Sequence, residues 1–228
     1  MRNLKITFIL SLFLSTCAFA QCFQNDKGLL SWEEDNNERY AGAYHFGYSE
    51  GESTLRIFVD DDRIWAQIIQ GEWSEGATEW LSTYTNLDTI SIEGNRISSS
   101  RFIGTFMIED RDSQMVKGLL VENSWSGWCE DGELEFGFFH GAESNSLPGR
   151  FPEASLTVLN ADDLKDLSPD FLRYMRNEIF ARYGYRFKTE IGGWFLQQSW
   201  YRPMYDDVTE FLTEVEKENV ALIKGLED

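Results

Sequence analysis

The stretch Thr54-Leu-Arg-Ile-Phe-Val59, Asp60-Asp-Asp62, Arg63-Ile-Trp-Ala-Gln-Ile-Ile69 decides the fold of the first half of the chain. Apolar side chains alternate with polar ones on both sides of the acidic triplet, which is the pattern of half-buried strands. The triplet interrupts this pattern for the length of a tight turn. The stretch therefore predicts a β-hairpin whose turn is formed by Asp60, Asp61 and Asp62.

Strand-like segments recur on both sides of this hairpin. They are predicted at residues 40–48, 89–92, 96–98, 102–108, 115–121 and 133–139. Seven or eight short strands in succession predict an antiparallel β meander. We expect residues 21–146 to form this β domain, closed as a small barrel or folded as a sandwich.

The pattern changes after residue 146. Residues 147–159 lose the alternation and contain Pro148 and Pro152, so we expect a linker there. The apolar period beyond it is helical, and we expect residues 160–228 to form a small helical domain. The predicted fold class is α+β, with two domains.

Two helix starts are marked in the second domain. Ser168 offers a capping hydroxyl directly before Pro169, which suits the first position of a helix, and Gly184 can end that helix. Thr213 and Glu216 have the spacing of a capping box, which predicts a second helix from Thr213.

The first twenty residues have the pattern of an export signal. Arg2 and Lys5 precede a short apolar run, and Ala18-Phe-Ala20 is a small-x-small cleavage site. We expect residues 1–20 to be a signal peptide and the protein to be periplasmic or extracellular. The alternative is a lipoprotein anchored through Cys17.

Charge and hydropathy exclude several classes of partner. The formal net charge is −19, which repels nucleic acids. The apolar run near the start is too short for a membrane span, and no later stretch approaches the ~20 apolar residues that one requires. The sequence leaves the oligomeric state open.

Removal of residues 1–20 would leave two cysteines, Cys22 and Cys129. An even pair in an oxidising compartment predicts a disulfide between them. A metal site is not expected, because His45 and His140 do not have ligand spacing with these cysteines. No cofactor motif is present, since the chain contains no glycine-rich phosphate loop.

Four blocks near the C-terminus resemble one family. Leu172-Arg-Tyr-Met-Arg-Asn-Glu-Ile-Phe-Ala-Arg-Tyr-Gly184, then Phe187, then Trp200-Tyr-Arg-Pro203, then Glu216-Lys-Glu-Asn219 occur in the order of a YARHG domain. The resemblance covers residues 160–227. It implies an extracytoplasmic bacterial module of helical fold, commonly placed after an unrelated domain, and it implies no catalytic activity.

The motif residues divide into a structural set and a binding set. Phe180 and Tyr183 replace a Tyr and a His of the usual motif, and both changes keep a ring, which favours packing. We interpret these residues as structural: Asn177, Glu178, Phe180, Ala181, Tyr183, Gly184, Phe187, Pro203 and Asn219. The alternative function of this region is a groove for a carboxylate or phosphate, built from Arg176, Arg182 and Arg202 with Trp200 and Tyr201.

Tryptophans give the β domain a second candidate surface. Trp73 with Trp80, and Trp125 with Trp128, flank predicted loops. Exposed rings there could stack on sugars. The competing interpretation is that they fill the ends of a small core.

The sequence contains no catalytic constellation, which favours a non-enzymatic role. The leading hypothesis is an exported protein that binds a cell-wall or other envelope component. One alternative is a carrier that holds a small molecule inside the β domain. Another is a glycan hydrolase that uses two carboxylates, although no motif distinguishes a pair among the 39 acidic residues.

Overall fold

The computed structural model describes residues 21–141 and 147–227, so the expected signal peptide and Cys17 lie outside the described residues. The strands are β1 (Gln21–Phe23), β2 (Leu30–Ser31), β3 (Gly42–Phe46), β4 (Ser53–Asp60), β5 (Arg63–Trp73), β6 (Trp80–Leu87), β7 (Ser91–Glu93), β8 (Arg96–Ser98), β9 (Ile103–Arg111), β10 (Gln114–Glu122) and β11 (Leu134–Phe139). The helices are α1 (Glu153–Leu156), α2 (Ala161–Leu164), α3 (Pro169–Arg182), α4 (Ile191–Phe195) and α5 (Glu214–Glu227). The expected α+β class, a sheet followed by helices, is confirmed.

The strands form one antiparallel sheet. Its order is β6-β5-β4-β3-β11-β10-β9-β8-β7, with β1 paired to β11 and β2 paired to β9. The antiparallel β meander is confirmed, but the sheet is not closed, so the barrel, one of its two expected forms, is wrong. Closure would require a ladder between β6 and β7. Instead, the three residues between these strands bend at Thr89, whose φ is 53°, and β7 pairs with β8.

The predicted hairpin forms between β4 and β5. Asp60 pairs with Arg63, which leaves Asp61 and Asp62 as a two-residue turn. Asp61 has a φ of 50°, and the turns that suit a two-residue hairpin require this left-handed conformation. The acidic triplet therefore fixes the register of the β4–β5 pair.

The inner face of the curled sheet is filled by aromatic and aliphatic side chains. Tyr40 and Phe106 stack at 4.0 Å between ring centroids, and Trp32 packs edge-on against both. The same cluster contains Ile68 of β5 and Ile97 of β8, so strands from both halves of the sheet share one core. Because this interior is packed, it gives no support to a carrier with its ligand inside the β domain.

The predicted disulfide is present. Cys22 of β1 is bonded to Cys129 in the connection between β10 and β11. Glu133 lies close enough to the two cysteines for the three groups to resemble a metal site. Both sulfur atoms are bonded to each other in the disulfide, so neither is a thiolate that could bind a metal. The bond fixes the start of the described chain to the central strands.

The two predicted helix starts are observed in α3 and α5. The Ser168 hydroxyl accepts a hydrogen bond from the Phe171 amide at 3.3 Å. Thr213 and Glu216 exchange the two hydrogen bonds of a capping box, at 3.3 Å and 2.9 Å. Within the described helices, none has both the length and the apolar character that crossing a membrane requires.

Residues 147–159, where we expected a linker, contain α1. Phe151 and Ala154 are buried in the helical core beside Leu172 and Ile179 of α3. This segment therefore packs as part of the helical region. The domain boundaries at residues 146 and 160 stay a prediction.

We predict that loss of the disulfide destabilises the protein strongly. The two cysteines are 107 residues apart, and closing a loop of that length stabilises a fold by roughly 4 to 5 kcal/mol in the chain-entropy model. Urea unfolding of the double variant Cys22→Ser/Cys129→Ser should show a loss of that order. A reductant should lower the stability of the parent protein and leave the double variant unchanged. A double variant as stable as the parent would contradict the prediction.

Candidate functional site

The helical region covers part of the outer face of the sheet, on β4, β5 and β6. Phe58 and Trp65 stack there at 5.5 Å between ring centroids, and Val215 of α5 packs on them. Tyr84 of β6 meets the ring of Tyr183 edge-on at 4.7 Å. We call this contact region the junction.

Tyr183 connects the two regions through its hydroxyl group. The hydroxyl donates to Glu216 of α5 at 2.7 Å and accepts from the Gln67 side chain of β5 at 3.2 Å. Gln67 also donates to the carbonyl of Phe211 at 3.0 Å. Burial raises the pKa of the Tyr183 phenol well above its ordinary value, so the group stays a neutral donor.

Glu216 has a buried carboxyl group that stabilises the fold through hydrogen bonds. It accepts from the Thr213 amide at 2.9 Å and from Tyr183. Burial raises its pKa, although hydrogen bonds from Ser155, Tyr183 and Thr213 oppose the rise. Glu216 is the acidic residue among those that line the cavity described below, so the two-carboxylate geometry of a glycan hydrolase is not found there.

Glu178 and Arg182 form a buried ion pair on α3. The Glu178 side chain is fully buried, and it accepts from the backbone amides of Arg150 and Phe151 at 2.8 Å and 2.7 Å. Arg182 donates to Glu178, to Ser155 and to the carbonyls of Pro148 and Phe151. The pair therefore holds the segment before α1 against α3.

Gly149 is required for this arrangement. Its φ is +118°, and a Cβ atom placed on it would lie 2.3 Å from a carboxylate oxygen of Glu178. A side chain at this position would be strained and would also displace the carboxylate. The glycine lets the chain pass close enough for its following amides to reach Glu178.

The three arginines of the expected groove have separate partners. Arg176 forms a bidentate pair with Glu227 at 2.6 Å and 2.9 Å. Arg182 is occupied as described above, and Arg202 donates to the carbonyls of Ser199 and Tyr201. In the part of the chain that the structure describes, no partner is shared by the three.

The remaining motif residues mostly pack or fix the backbone. Tyr201 is buried with Phe187 and Phe195, near Ala181 and Trp200, and its hydroxyl donates to the Tyr185 carbonyl at 2.6 Å. The following motif residues have these places: Asn177 donates to the Arg173 carbonyl, Phe180 borders the helical core, Gly184 has a φ of +75° at the end of α3, and Pro203 is exposed beside it.

Both the amide nitrogen and the amide oxygen of the Asn219 side chain form hydrogen bonds inside the helical core. Its amide donates to the carbonyls of Ala154 and Thr157 at 2.9 Å and 2.7 Å, and its oxygen accepts from the Leu159 amide at 2.9 Å. The side chain is fully buried. Asn219 therefore ties α5 to both ends of the turn that follows α1.

A cavity of about 280 Å³ opens at the junction. Its walls include Arg56, Ser82 and Tyr84 from the sheet and Arg182, Tyr183 and Glu216 from the helical region. Most of the lining residues are polar or charged, although apolar atoms form the larger part of the exposed wall. The cavity is therefore suited to a small polar ligand.

Arg56 is the cation of this cavity without a counterion among the described residues. Its Nε atom is buried and has no hydrogen-bond partner there. Burial lowers the pKa of the Arg56 guanidinium, although the side chain remains a cation at neutral pH. Arg182 differs, because Glu178 balances its charge. Sequence reasoning missed Arg56. The sequence does contain one signal for this residue: Arg56 lies between Thr54 and Phe58 in the alternation, which places a cation on the outer face of the strand.

These features define a protein with an open antiparallel sheet, a helical module docked on its outer face and a polar cavity between them. Residues 150–228 match the family model of the YARHG domain, so the C-terminal part of this chain is a YARHG domain, as its motifs predicted. No family model matches the N-terminal part. No characterised protein and no solved structure matches the chain. An extracytoplasmic module and a disulfide are consistent with export.

We predict that Glu178→Gln destabilises the protein by about 3–5 kcal/mol, because it leaves the Arg182 charge buried without a counterion. Urea unfolding followed by circular dichroism measures the loss. The matched control is Glu214→Gln, which removes an exposed pair with Lys217 on α5 and should change stability little. A loss below about 1 kcal/mol in Glu178→Gln would contradict the structural role of the pair.

We also predict that Glu216 makes stability depend on pH. The raised pKa means that the folded protein binds this proton more strongly than the unfolded chain. Its contribution is complete below the ordinary carboxyl pKa and is lost as the pH rises through the raised value. The stability of the parent relative to Glu216→Gln, measured by urea unfolding, should therefore fall as the pH is raised above the ordinary carboxyl pKa. Parallel profiles of the two proteins would refute this assignment.

Proposed function

We propose that this chain is an exported, non-enzymatic binding protein of the cell envelope that holds a carboxylate group in the junction cavity. The observation that carries the proposal is Arg56, whose Nε lies buried without a partner among the described residues. An unpaired buried charge is unfavourable. An anionic ligand would remove this penalty by pairing with the guanidinium.

Charge balance favours a carboxylate over a phosphate. The cavity walls carry two guanidinium groups and the carboxyl group of Glu216. Glu178 pairs with Arg182, and Glu216 is hydrogen-bonded to Tyr183 and Thr213. One cation is left for the ligand, and a single carboxylate matches the planar fork of one arginine. A doubly charged phosphate would also meet the net negative charge of the chain.

Binding is favoured over catalysis by the state of the other polar groups. Tyr183 and Glu216 are hydrogen-bonded to each other and to the protein backbone or to Gln67. These bonds occupy the groups that could move a proton. The cavity therefore offers recognition through Arg56 and a fixed polar wall.

The envelope is the source of ligand that fits best. A YARHG domain is an extracytoplasmic module, and peptides of the envelope carry free carboxylates. We propose that the ligand is the C-terminal carboxylate of such a peptide. This gives the binding hypothesis a site on Arg56 in place of the groove of Arg176, Arg182 and Arg202.

We predict that Arg56→Gln lowers the affinity for the dipeptide Ala-Ala by roughly tenfold or more, because a charge-assisted bidentate pair is lost. Isothermal titration of the dipeptide and of its C-terminal amide measures the effect, and the amide should bind weakly to both proteins. The matched control is Arg101→Gln, an exposed arginine in the turn before β9, which should bind as the parent does.

Stability measurements separate binding from folding. Removal of a half-buried cation that lacks a counterion should leave the urea midpoint of Arg56→Gln equal to or above that of the parent. Equal binding of Ala-Ala and its amide, or full affinity in Arg56→Gln, would contradict the proposed function. Failure of the parent to co-sediment with isolated peptidoglycan or envelope fractions would refute the envelope assignment.

A further inference from the structure

Three tryptophan side chains of the β domain are exposed to solvent. Trp73 is 50% exposed, Trp80 is 39% exposed and Trp128 is 47% exposed. Trp125, the fourth tryptophan of the two sequence pairs, instead packs on the core against Phe46 and donates to Ser53. The exposed rings require an explanation, because burial of large rings is a main source of stability.

The indole ring of Trp80 packs against the backbone of Gly71. A Cβ atom on Gly71 would lie 2.1 Å from the indole of Trp80, so the ring rests directly on the β5 backbone where the glycine leaves room. Trp73 meets the same ring edge-on at 5.2 Å, and the Trp73 indole nitrogen donates to Glu50 at 3.2 Å. These contacts fix the indole of Trp80 although it is partly exposed to solvent.

A small polar groove runs along this ring. Its volume is about 140 Å³, and beside Trp80 its walls include His45, Glu52, Thr54, Gln70 and Ser82. These side chains offer a carboxylate, an amide, two hydroxyl groups and an imidazole, which together can both donate and accept hydrogen bonds. We call this feature the Trp80 groove. Ile69 and Ser82 line both it and the junction cavity.

We propose that the Trp80 groove binds a neutral sugar ring of a glycan. A pyranose has an apolar face of C–H groups that can cover the indole, and burial of that area is favourable. Its hydroxyl groups lie at the ring edge, where Glu52, Gln70 and Ser82 can bond to them. This proposal does not depend on Arg56 or on the carboxylate site.

Local charge determines the class of sugar. Glu52 lines the groove, with the imidazole of His45 at 3.8 Å from its carboxylate, and Glu50 lies beside Trp73. The lining contains no lysine or arginine among the described residues. Acidic sugars are therefore repelled. A cationic peptide is the competing occupant, since it could place an ammonium group over the indole. The sugar is favoured because the groove offers donors as well as acceptors.

The test is binding of uncharged oligosaccharides, measured by isothermal titration. The probes are cellohexaose, maltohexaose and the hexamer of N-acetylglucosamine, with hexalysine as the cationic competitor. We expect the parent to bind at least one of the three sugars. Trp80→Ala should weaken that binding by roughly tenfold or more, as expected for loss of an aromatic contact at the centre of a site.

Two further variants make the result specific. Gly71→Ala keeps the indole but displaces it, so it should also weaken sugar binding. Trp128→Ala removes a more exposed ring that does not line the groove, and this variant should bind as the parent does. Arg56→Gln should retain sugar binding, which separates this site from the proposed carboxylate site. Absence of sugar binding, unchanged binding in Trp80→Ala, or binding of hexalysine alone would overturn the proposal.

Discussion

The hydroxyl group of Tyr183 is the contact on which the arrangement of this protein depends. It lies between Gln67 of the sheet and Glu216 of the helical region, and it hydrogen-bonds to both. Loss of the bond to Glu216 would leave the buried hydroxyl hydrogen without an acceptor, which is costly. The helices are therefore held at one position on the outer face of β4, β5 and β6. That position creates the junction cavity and leaves the Trp80 groove uncovered.

The buried pair of Glu178 and Arg182 supports the opposite wall of the same cavity. Arg182 binds the carbonyl groups of Pro148 and Phe151, while Glu178 binds two amides of that segment. Four backbone groups are thus satisfied by one pair of side chains on α3. Because Arg182 is neutralised in this way, Arg56 remains the unbalanced cation in the cavity. Arg182 therefore stabilises the fold, whereas Arg56 is the arginine that we propose binds the ligand.

Local features of the fold could be predicted from the sequence, and non-local ones could not. The Ser168 cap, the Thr213 capping box and the hairpin turn after Asp60 each depend on neighbours in the chain. Strand β6 was missed because polar residues such as Thr83 and Asn86 hide its alternation. The openness of the sheet depends on which distant strands pair. The role of Arg56 required the position of the helices, which the motif around Arg182 does not encode.

The central claim is that the guanidinium of Arg56 is the anion-binding group of the junction cavity. The most direct measurement is the NMR resonance of its Nε–H group, assigned with Arg56→Gln, during titration of Ala-Ala. The account predicts a saturable downfield shift of this resonance, with no shift of Arg101 and none on titration of the C-terminal amide. A resonance of Arg56 that stays fixed at saturating dipeptide would contradict the account.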